Sequence, residues 1–272
     1  MDHEHGFGWI KDKPDTRDYH LTTPEVRRAL SGVSVKKDLP ASADLRPQCP
    51  PVDDQGKLSS CTANAAVGIV EYLYGRVAKV KHFSRLFTYR VTRDLEGSTG
   101  DSGATLRGTA GALALAGCCD ESRCPYSTGA HWDKEPTALM YALASNAKAL
   151  TYFRLDTVGA APLTVITNIK QSIAAGLPVM FGFDVYESYV KAAKTGIFPY
   201  PATGEQAVGG HAIVAVGYDD AKKWFIIRNS WGTAWGDHGY GYLPYDYLLK
   251  GLASDWWCIA SEDIIDTGLF GY

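Results

Sequence analysis

Cys61 and His211 are separated by 150 residues, and Asn229 lies a further 18 along the chain. Side chains so far apart can act together only if the fold brings early and late segments into contact. Their neighbourhoods suggest that they do. Gln55 and Cys61 share the run Asp54-Gln55-Gly56-Lys57-Leu58-Ser59-Ser60-Cys61-Thr62-Ala63; His211 follows Gly209-Gly210; Asn229 opens Asn229-Ser230-Trp231-Gly232-Thr233-Ala234-Trp235-Gly236. Together they supply a thiol, a base, an orienter for the base and an amide able to meet an oxyanion, the four roles of acyl transfer through a covalent thioester. Taken singly, each has a plainer reading. Cys61 alone is a buried inert thiol, His211 a core histidine before an apolar strand, Asn229 a turn or cap, and Gln55 a surface loop residue. The combination carries the chemistry.

The texture of the chain divides it in three. Residues 1–38 form a leader broken by Gly6, Gly8, Pro14 and Pro24, with room for one short helix at 24–30. From 39 to 160 the signals are helical. Ser59 and Ser60 can cap a helix over 61–74 that Gly75 ends, and Ala/Leu-rich helices are expected at 105–116 and 136–147. A further helix is expected at 162–175, opened by Pro162 and closed by Gly176. Residues 161–272 then turn β-rich, with strands expected at 177–185, 211–218, 224–229 and 240–243 and a turn at 218–222. The 272 residues suffice for one large domain or two lobes sharing an interface.

Composition narrows the partners. With 46% hydrophobic and 21% charged residues and a formal net charge of −3, the chain resembles an ordinary globule and favours neither nucleic acid nor an anionic membrane surface. The pair Lys36-Lys37 is too short to alter that. No stretch of 18 apolar residues is present, and Met1-Asp2-His3-Glu4-His5 lacks the cations and apolar run of a secretory signal. A cytoplasmic protein is expected, or one exported by a route the sequence does not display. No cofactor is implied. His3, His5, His82, His131 and His238 show no metal-binding spacing, Met1-Asp2-His3 is at most a Cu(II) or Ni(II) chelator, and Asp53-Asp54 reads as a solvated turn. Cys49, Cys118, Cys119, Cys124 and Cys258 are expected to be reduced thiols, although Cys118 or Cys119 could reach Cys124 across a short loop.

These motifs resemble the papain-like cysteine peptidases over residues 39–242. The strongest likeness is Asn229-Ser230-Trp231-Gly232 with Trp235-Gly236 and Gly239-Tyr240-Gly241, supported by the Gln55-to-Cys61 step and by His211 before an apolar strand. The chain looks like a bacterial-type member without the usual disulfide framework, since Leu58 stands where many relatives carry a disulfide cysteine. Ser59 replaces a common glycine, and Thr62 and Asn64 replace larger aromatics. The resemblance implies an α+β, two-lobed fold, a helical lobe facing a β-barrel-like lobe with the active cleft between them. It implies a thiol protease, its Cys61 activated as a thiolate–imidazolium pair with His211, which then acts as general acid/base. Such a pair can hold the thiol near a pKa of about 3–4.

By the same resemblance Asn229 orients His211, Trp231 shelters their bond, and Gln55 with the Cys61 N–H faces the oxyanion. Ser102 and Gly103, in Gly100-Asp101-Ser102-Gly103-Ala104, would pair with substrate backbone opposite Gly210. Ala104, Gly182 and Ala212 would line a pocket for a bulky apolar residue, and Trp235 would wall the leaving-group side. The expected partner is a peptide or protein substrate, and the chain is expected to be a monomer. An inactive peptide-binding relative and a thioester-using acyltransferase or amidase are the alternatives. The leader's Phe7, Trp9, Ile10 and Tyr19 should pack on the body. Two arrangements are open: along the cleft, as a short propeptide, or across the back of the lobes, as a strap.

Overall fold

Early and late segments do meet. The computed structural model describes residues 5–32, 38–76, 81–148 and 151–260; Lys36-Lys37 and Met1-Asp2-His3 lie outside them. In chain order the helices are α1 (Pro24–Ala29), α2 (Cys61–Gly75), α3 (Arg85–Glu96), α4 (Leu106–Ala116), α5 (Ala138–Ala144), α6 (Pro162–Ala174) and α7 (Asp246–Leu249). The strands are β1 (Trp9–Ile10), β2 (Ser42–Asp44), β3 (Ala104–Thr105), β4 (Thr151–Arg154), β5 (Val179–Tyr186), β6 (Ala207–Asp219), β7 (Trp224–Arg228), β8 (Tyr240–Pro244) and β9 (Ala253–Ala260). None of the described helices is long and apolar enough to cross a membrane.

α2 runs through the centre of the helical part and is buried on nearly every face, which is why its sequence is small and apolar all round instead of striped. α3 was not anticipated. It is rich in arginine, but Ser84 caps it by accepting from the Phe87 N–H and Gly97 closes it at φ +67°. The expected third helix begins only at Ala138, because Thr137 is its cap and accepts from the Met140 N–H.

The β-rich part is one antiparallel sheet in the order β4-β9-β5-β6-β7-β8, with β2 added on β6. Its order shows an open sheet, not a closed barrel. Two of its strands, β2 and β4, come from residues 39–160. The unanticipated β9 is a continuous apolar run, Trp256-Trp257-Cys258-Ile259, buried throughout as a strand covered on both faces must be. Phe181 of β5 stacks on Trp256 with ring centroids 3.8 Å apart.

The leader is strapped to this body. Val26 of α1 is fully buried, and the Arg154 N–H donates to Tyr19 O at 2.7 Å. Behind these lies a buried charge cluster. Asp12 accepts from Trp257 Nε1 at 2.9 Å, Asp18 accepts from the Arg107 guanidinium at 2.6 and 2.7 Å, and Arg154 Nη2 donates to Asp255 at 2.6 Å. Four carboxylates (Asp12, Asp18, Asp156, Asp255) thus meet two guanidiniums, Arg107 and Arg154.

Burial, and then the nearby Asp255, push the Asp12 carboxyl from 3.8 up to about 6; Trp257, Arg107 and Arg154 oppose the rise without cancelling it. A carboxyl whose folded pKa is raised gives stability that is complete below about 4 and lost as pH climbs through about 6. The melting temperature of Asp12→Asn relative to the parent chain is therefore expected to rise between pH 4 and 7. The underlying effect is at most about 3 kcal/mol. A pH-independent difference between the two melting curves would contradict this account.

Candidate active site

Each of the four expected groups is fixed by a different element. Cys61 is the first residue of α2, where the helix dipole presents its positive end to the sulfur. His211 lies on β6, opposite Phe183 of β5, and Asn229 follows the last residue of β7. Gln55 is tied to the residue after Asn229: its N–H donates to Ser230 O at 2.9 Å and its side-chain Oε1 accepts from Ser230 Oγ at 2.6 Å.

Asn229 Oδ1 accepts from His211 Nε2 at 2.8 Å and from the Ser230 N–H at 2.8 Å. An amide oxygen only accepts, so Nε2 carries the proton and the neutral ring keeps its lone pair on Nδ1. That Nδ1 is buried with no hydrogen-bond partner. The neighbouring Ala212 N–H lies against the Cys61 sulfur, which brings the strand carrying His211 beside the thiol. Trp231 stacks on the imidazole at 4.6 Å with 21° between planes, and Phe183 meets it edge-on at 5.9 Å. Together they hold the ring plane and keep water from the Asn229 bond.

The leader fills the space in front of these groups. Gln55 Nε2 donates to Leu58 O at 2.8 Å and to the leader's Gly6 O at 3.1 Å. Phe7 stands edge-on to His211 and to Tyr189, and His5 stacks on the outer face of Trp231 at 5.1 Å. Gly8 places its N–H by the Cys61 sulfur and its carbonyl on the Ala104 N–H at 2.8 Å. Trp9 and Ile10 then run parallel to Ala104 and Thr105. A Cβ at Gly103 would overlap the Gly8 backbone, which fits its φ of +75° and its lack of a side chain. Residues 5–10 thus lie against the candidate site, while the following stretch of the leader, which we call the strap (residues 12–30), runs against β4, β9 and α4.

Burial acts on both reacting candidates. Cys61 and His211 are fully buried. Burial pushes the thiol up to about 11, against the pull of the N–H groups around it, and pushes the imidazole down to about 4, against the raising effect of Asn229. In the covered cleft burial works against the ion pair expected from the resemblance, since it raises the thiol and lowers the imidazole.

The expected subsite residues are distributed as follows. Gly182 and Gly210 meet Trp9 and Ala104 donates its N–H to Gly8 O, while Ala212 pairs with Gly182 across β5 and β6 and turns its N–H to the Cys61 sulfur. Gly103 approaches the Gly8 backbone, while Ser102 turns its hydroxyl to Gly103 O at 3.0 Å. Trp235 packs edge-on against Trp231 at 5.3 Å. Asp53 is not a solvated turn: it pairs with Arg85 at 2.7 Å and shares a cluster with Glu71 and His82. All six cysteines are free thiols.

Residues not singled out from sequence also build the site. Ser230 orients Gln55, and Tyr126 donates to Gln55 O at 2.9 Å while its hydroxyl contacts Ser60 Oγ at 2.6 Å. Ser230 was legible as part of the Asn229-Ser230-Trp231-Gly232 string; Tyr126 carried no signal.

Comparison with known proteins agrees in fold and in family. The model of the papain family cysteine proteases matches residues 39–253. An uncharacterised peptidase C1-like protein of Acanthamoeba polyphaga mimivirus is 38% identical, covering 93% of this chain and 86% of its own length. A cathepsin B-like protein of Giardia intestinalis is 30% identical over 81% of this chain and 79% of its own. Among solved structures, xylellain, a cysteine protease from Xylella fastidiosa, superposes with a TM-score of 0.80 at 33% identity, covering 97% of this chain and 99% of its own.

The covered geometry sets an expectation for thiol reactivity. At pH 6 the intact chain should show slow alkylation of Cys61 by iodoacetamide. The Phe7→Ala/Trp9→Ala chain should react at least about tenfold faster there, because the thiolate forms only once the thiol meets water and imidazolium. Peptide mapping by mass spectrometry reads both rates. Equal rates would mean that the leader does not control the thiol.

Proposed function

The chain belongs to the papain family of cysteine proteases, and from that premise we propose that it hydrolyses peptide bonds through an acyl thioester on Cys61, with His211 as general acid/base. The observation that carries this reading is the contact between Gln55 Nε2 and a peptide carbonyl, Gly6 O, two residues before Gly8, whose N–H lies by the Cys61 sulfur. A site that already holds polypeptide against its nucleophile and its amide donor suits a peptide substrate.

With the leader displaced, water enters, the desolvation that separates the two pKa values falls away, and the Cys61 proton moves to His211 Nδ1. The thiolate adds to the scissile carbonyl carbon, and the oxygen that becomes negative is met by the Gln55 amide and the Cys61 backbone N–H. His211 returns its proton to the departing amine, leaving the acyl–sulfur bond. It next takes a proton from water as that oxygen attacks the thioester. Collapse releases the carboxylate product and restores the thiol. Asn229 keeps Nε2 protonated throughout, so that Nδ1 alone exchanges protons. Ser230, through Gln55 Oε1, keeps the amide N–H groups turned towards the reacting carbonyl. Residues 5–10 restrain access, and the strap of residues 12–30 keeps them near the cleft.

A small fluorogenic peptide amide tests the reading. Cys61→Ala should abolish turnover, and Gln55→Ala should lower kcat by about 10²–10³, the usual cost of one oxyanion donor. Phe7→Ala/Trp9→Ala should raise kcat/KM on the same amide, because the cover is loosened while the strap remains, and should lower the melting temperature through the lost aromatic packing. Turnover that survives Cys61→Ala would overturn the proposal.

A further inference from the structure

Gln55 is held from three sides. Ser230 takes its backbone N–H and its side-chain oxygen. Its backbone carbonyl belongs to a different set of residues, which begins on the helix of the nucleophile. Ser60 stands at the N-cap of α2, where the sequence predicts a capping hydroxyl, yet its side chain caps no N–H of that helix. It lies instead 2.6 Å from Tyr126 Oη, which lies 2.9 Å from Gln55 O.

The direction of each bond follows from the ends. A carbonyl only accepts, so the Tyr126 hydroxyl donates to Gln55 O and must accept from Ser60. Burial keeps the proton on that phenol by pushing it up to about 12. The Ser60 hydrogen is then committed, which leaves Ser60 Oγ an acceptor, and Asn64 Nδ2 meets it at 3.1 Å. The second Nδ2 hydrogen goes to Ser60 O at 3.0 Å. That oxygen also only accepts, so the Asn64 amide cannot turn over. A phenyl group in place of Asn64 would offer Ser60 no donor, and the hydroxyl would be free to cap α2.

The far end of the chain is anchored from outside. The Tyr126 N–H donates to Glu121 Oε1 at 2.6 Å. The Arg85 guanidinium lies 4.6 Å from the Tyr126 ring centre while it bridges Glu121 and Asp53. Ser60 and Asn64 are buried, so solvent does not replace a lost link.

We propose that Asn64, Ser60 and Tyr126 form a one-way hydrogen-bond chain that holds Gln55 at its place beside Cys61. Tyr126 is the positioning residue for the Gln55 amide, and Asn64 fixes the direction of the chain. This rests on the peptidase reading only in giving Gln55 the developing oxyanion.

The test uses the full-length Phe7→Ala/Trp9→Ala chain as parent and compares three reactions of one thiol. Alkylation by iodoacetamide displaces iodide from a saturated carbon and builds no oxyanion. Hydrolysis of a fluorogenic peptide amide does build one. A peptide nitrile probes the same place without turnover: sulfur bonds to the nitrile carbon and the thiol proton ends on the nitrogen, which takes the oxyanion's position. Tyr126→Phe is expected to lower kcat on the amide about tenfold with KM changed less than about twofold. It should weaken nitrile binding, measured by calorimetry, about tenfold and leave the alkylation rate within about twofold. Asn64→Leu alone should lower kcat several-fold, but by less than about twofold in the Tyr126→Phe chain, since a broken chain cannot be broken again.

A residue that merely holds the fold would slow all three reactions together. That result, or a Tyr126→Phe chain equal to its parent in all three, overturns the proposal. Should Tyr126→Phe fail to fold, Ser60→Ala cuts the same chain and must show the same split between amide and alkylation. If even the parent does not turn over the amide, nitrile binding decides alone. Binding about tenfold weaker in Tyr126→Phe then supports the chain while the peptidase reading falls, and unchanged binding sinks the chain. A parent that does not bind the nitrile sinks both.

Discussion

The site depends on the pairing of β6 with β5 on one side and β7 on the other. That pairing sets His211 against Phe183 and Val214 against Arg228, so Asn229 emerges where its amide oxygen reaches the imidazole. Side chains alternate along a strand, and a slip of one residue would turn His211 to the opposite face and carry Ala212 into its place. Register is therefore the condition for catalysis as much as for stability. It is secured by side chains of different size packed on both faces of the sheet, among them the fully buried Phe181, Phe183, Ala215 and Ile227, which a slip would force into one another's places.

Cover and chemistry are coupled through solvent. The leader groups that cover the cleft bury Cys61 and His211 as well, so under the proposed mechanism the same contacts would exclude the substrate and oppose formation of the thiolate–imidazolium pair. The cost of burying polar backbone is met locally. Gly6 O and Gly8 O find donors on Gln55 and Ala104, and the Gly6 N–H donates to Gly56 O at 3.0 Å. The leader thus satisfies the cleft's hydrogen bonds with peptide groups, as a substrate would.

The candidate reacting groups, which the fold brings to one place, were legible because each sits in a run of uncommon neighbours at fixed spacing. The β-strands bounded by turn residues were legible for a similar reason, since period and punctuation agree. What stayed hidden depends on distance. α3 was obscured by its arginines, which look solvent-seeking until Arg93 is found fully buried, its guanidinium on the Asp133 carboxylate at 2.6 Å and over the Tyr89 and Trp132 rings. Asp255 in an apolar strand gave no hint of Trp9, 246 positions away, or of Arg154. The leader's aromatics announced burial without saying where. Phe7 and Trp9 went to the cleft, and Tyr19 to the strap beside β4.

The parts of the leader are anchored by separate means, the cleft segment by Gly8, Trp9 and the two glycines against it, the strap by Val26 and the Asp18–Arg107 pair. A segment held this way is a ligand on a leash. Its local concentration is set by tether length and is on the order of millimolar, whatever the concentration of the protein. An incoming peptide must compete against that fixed occupancy, which dilution of the protein does not relieve. Severing the tether would change the terms at once: the same contacts would then have to hold at the bulk concentration of a free peptide, and an occupancy sustained by connectivity would become one sustained by affinity alone.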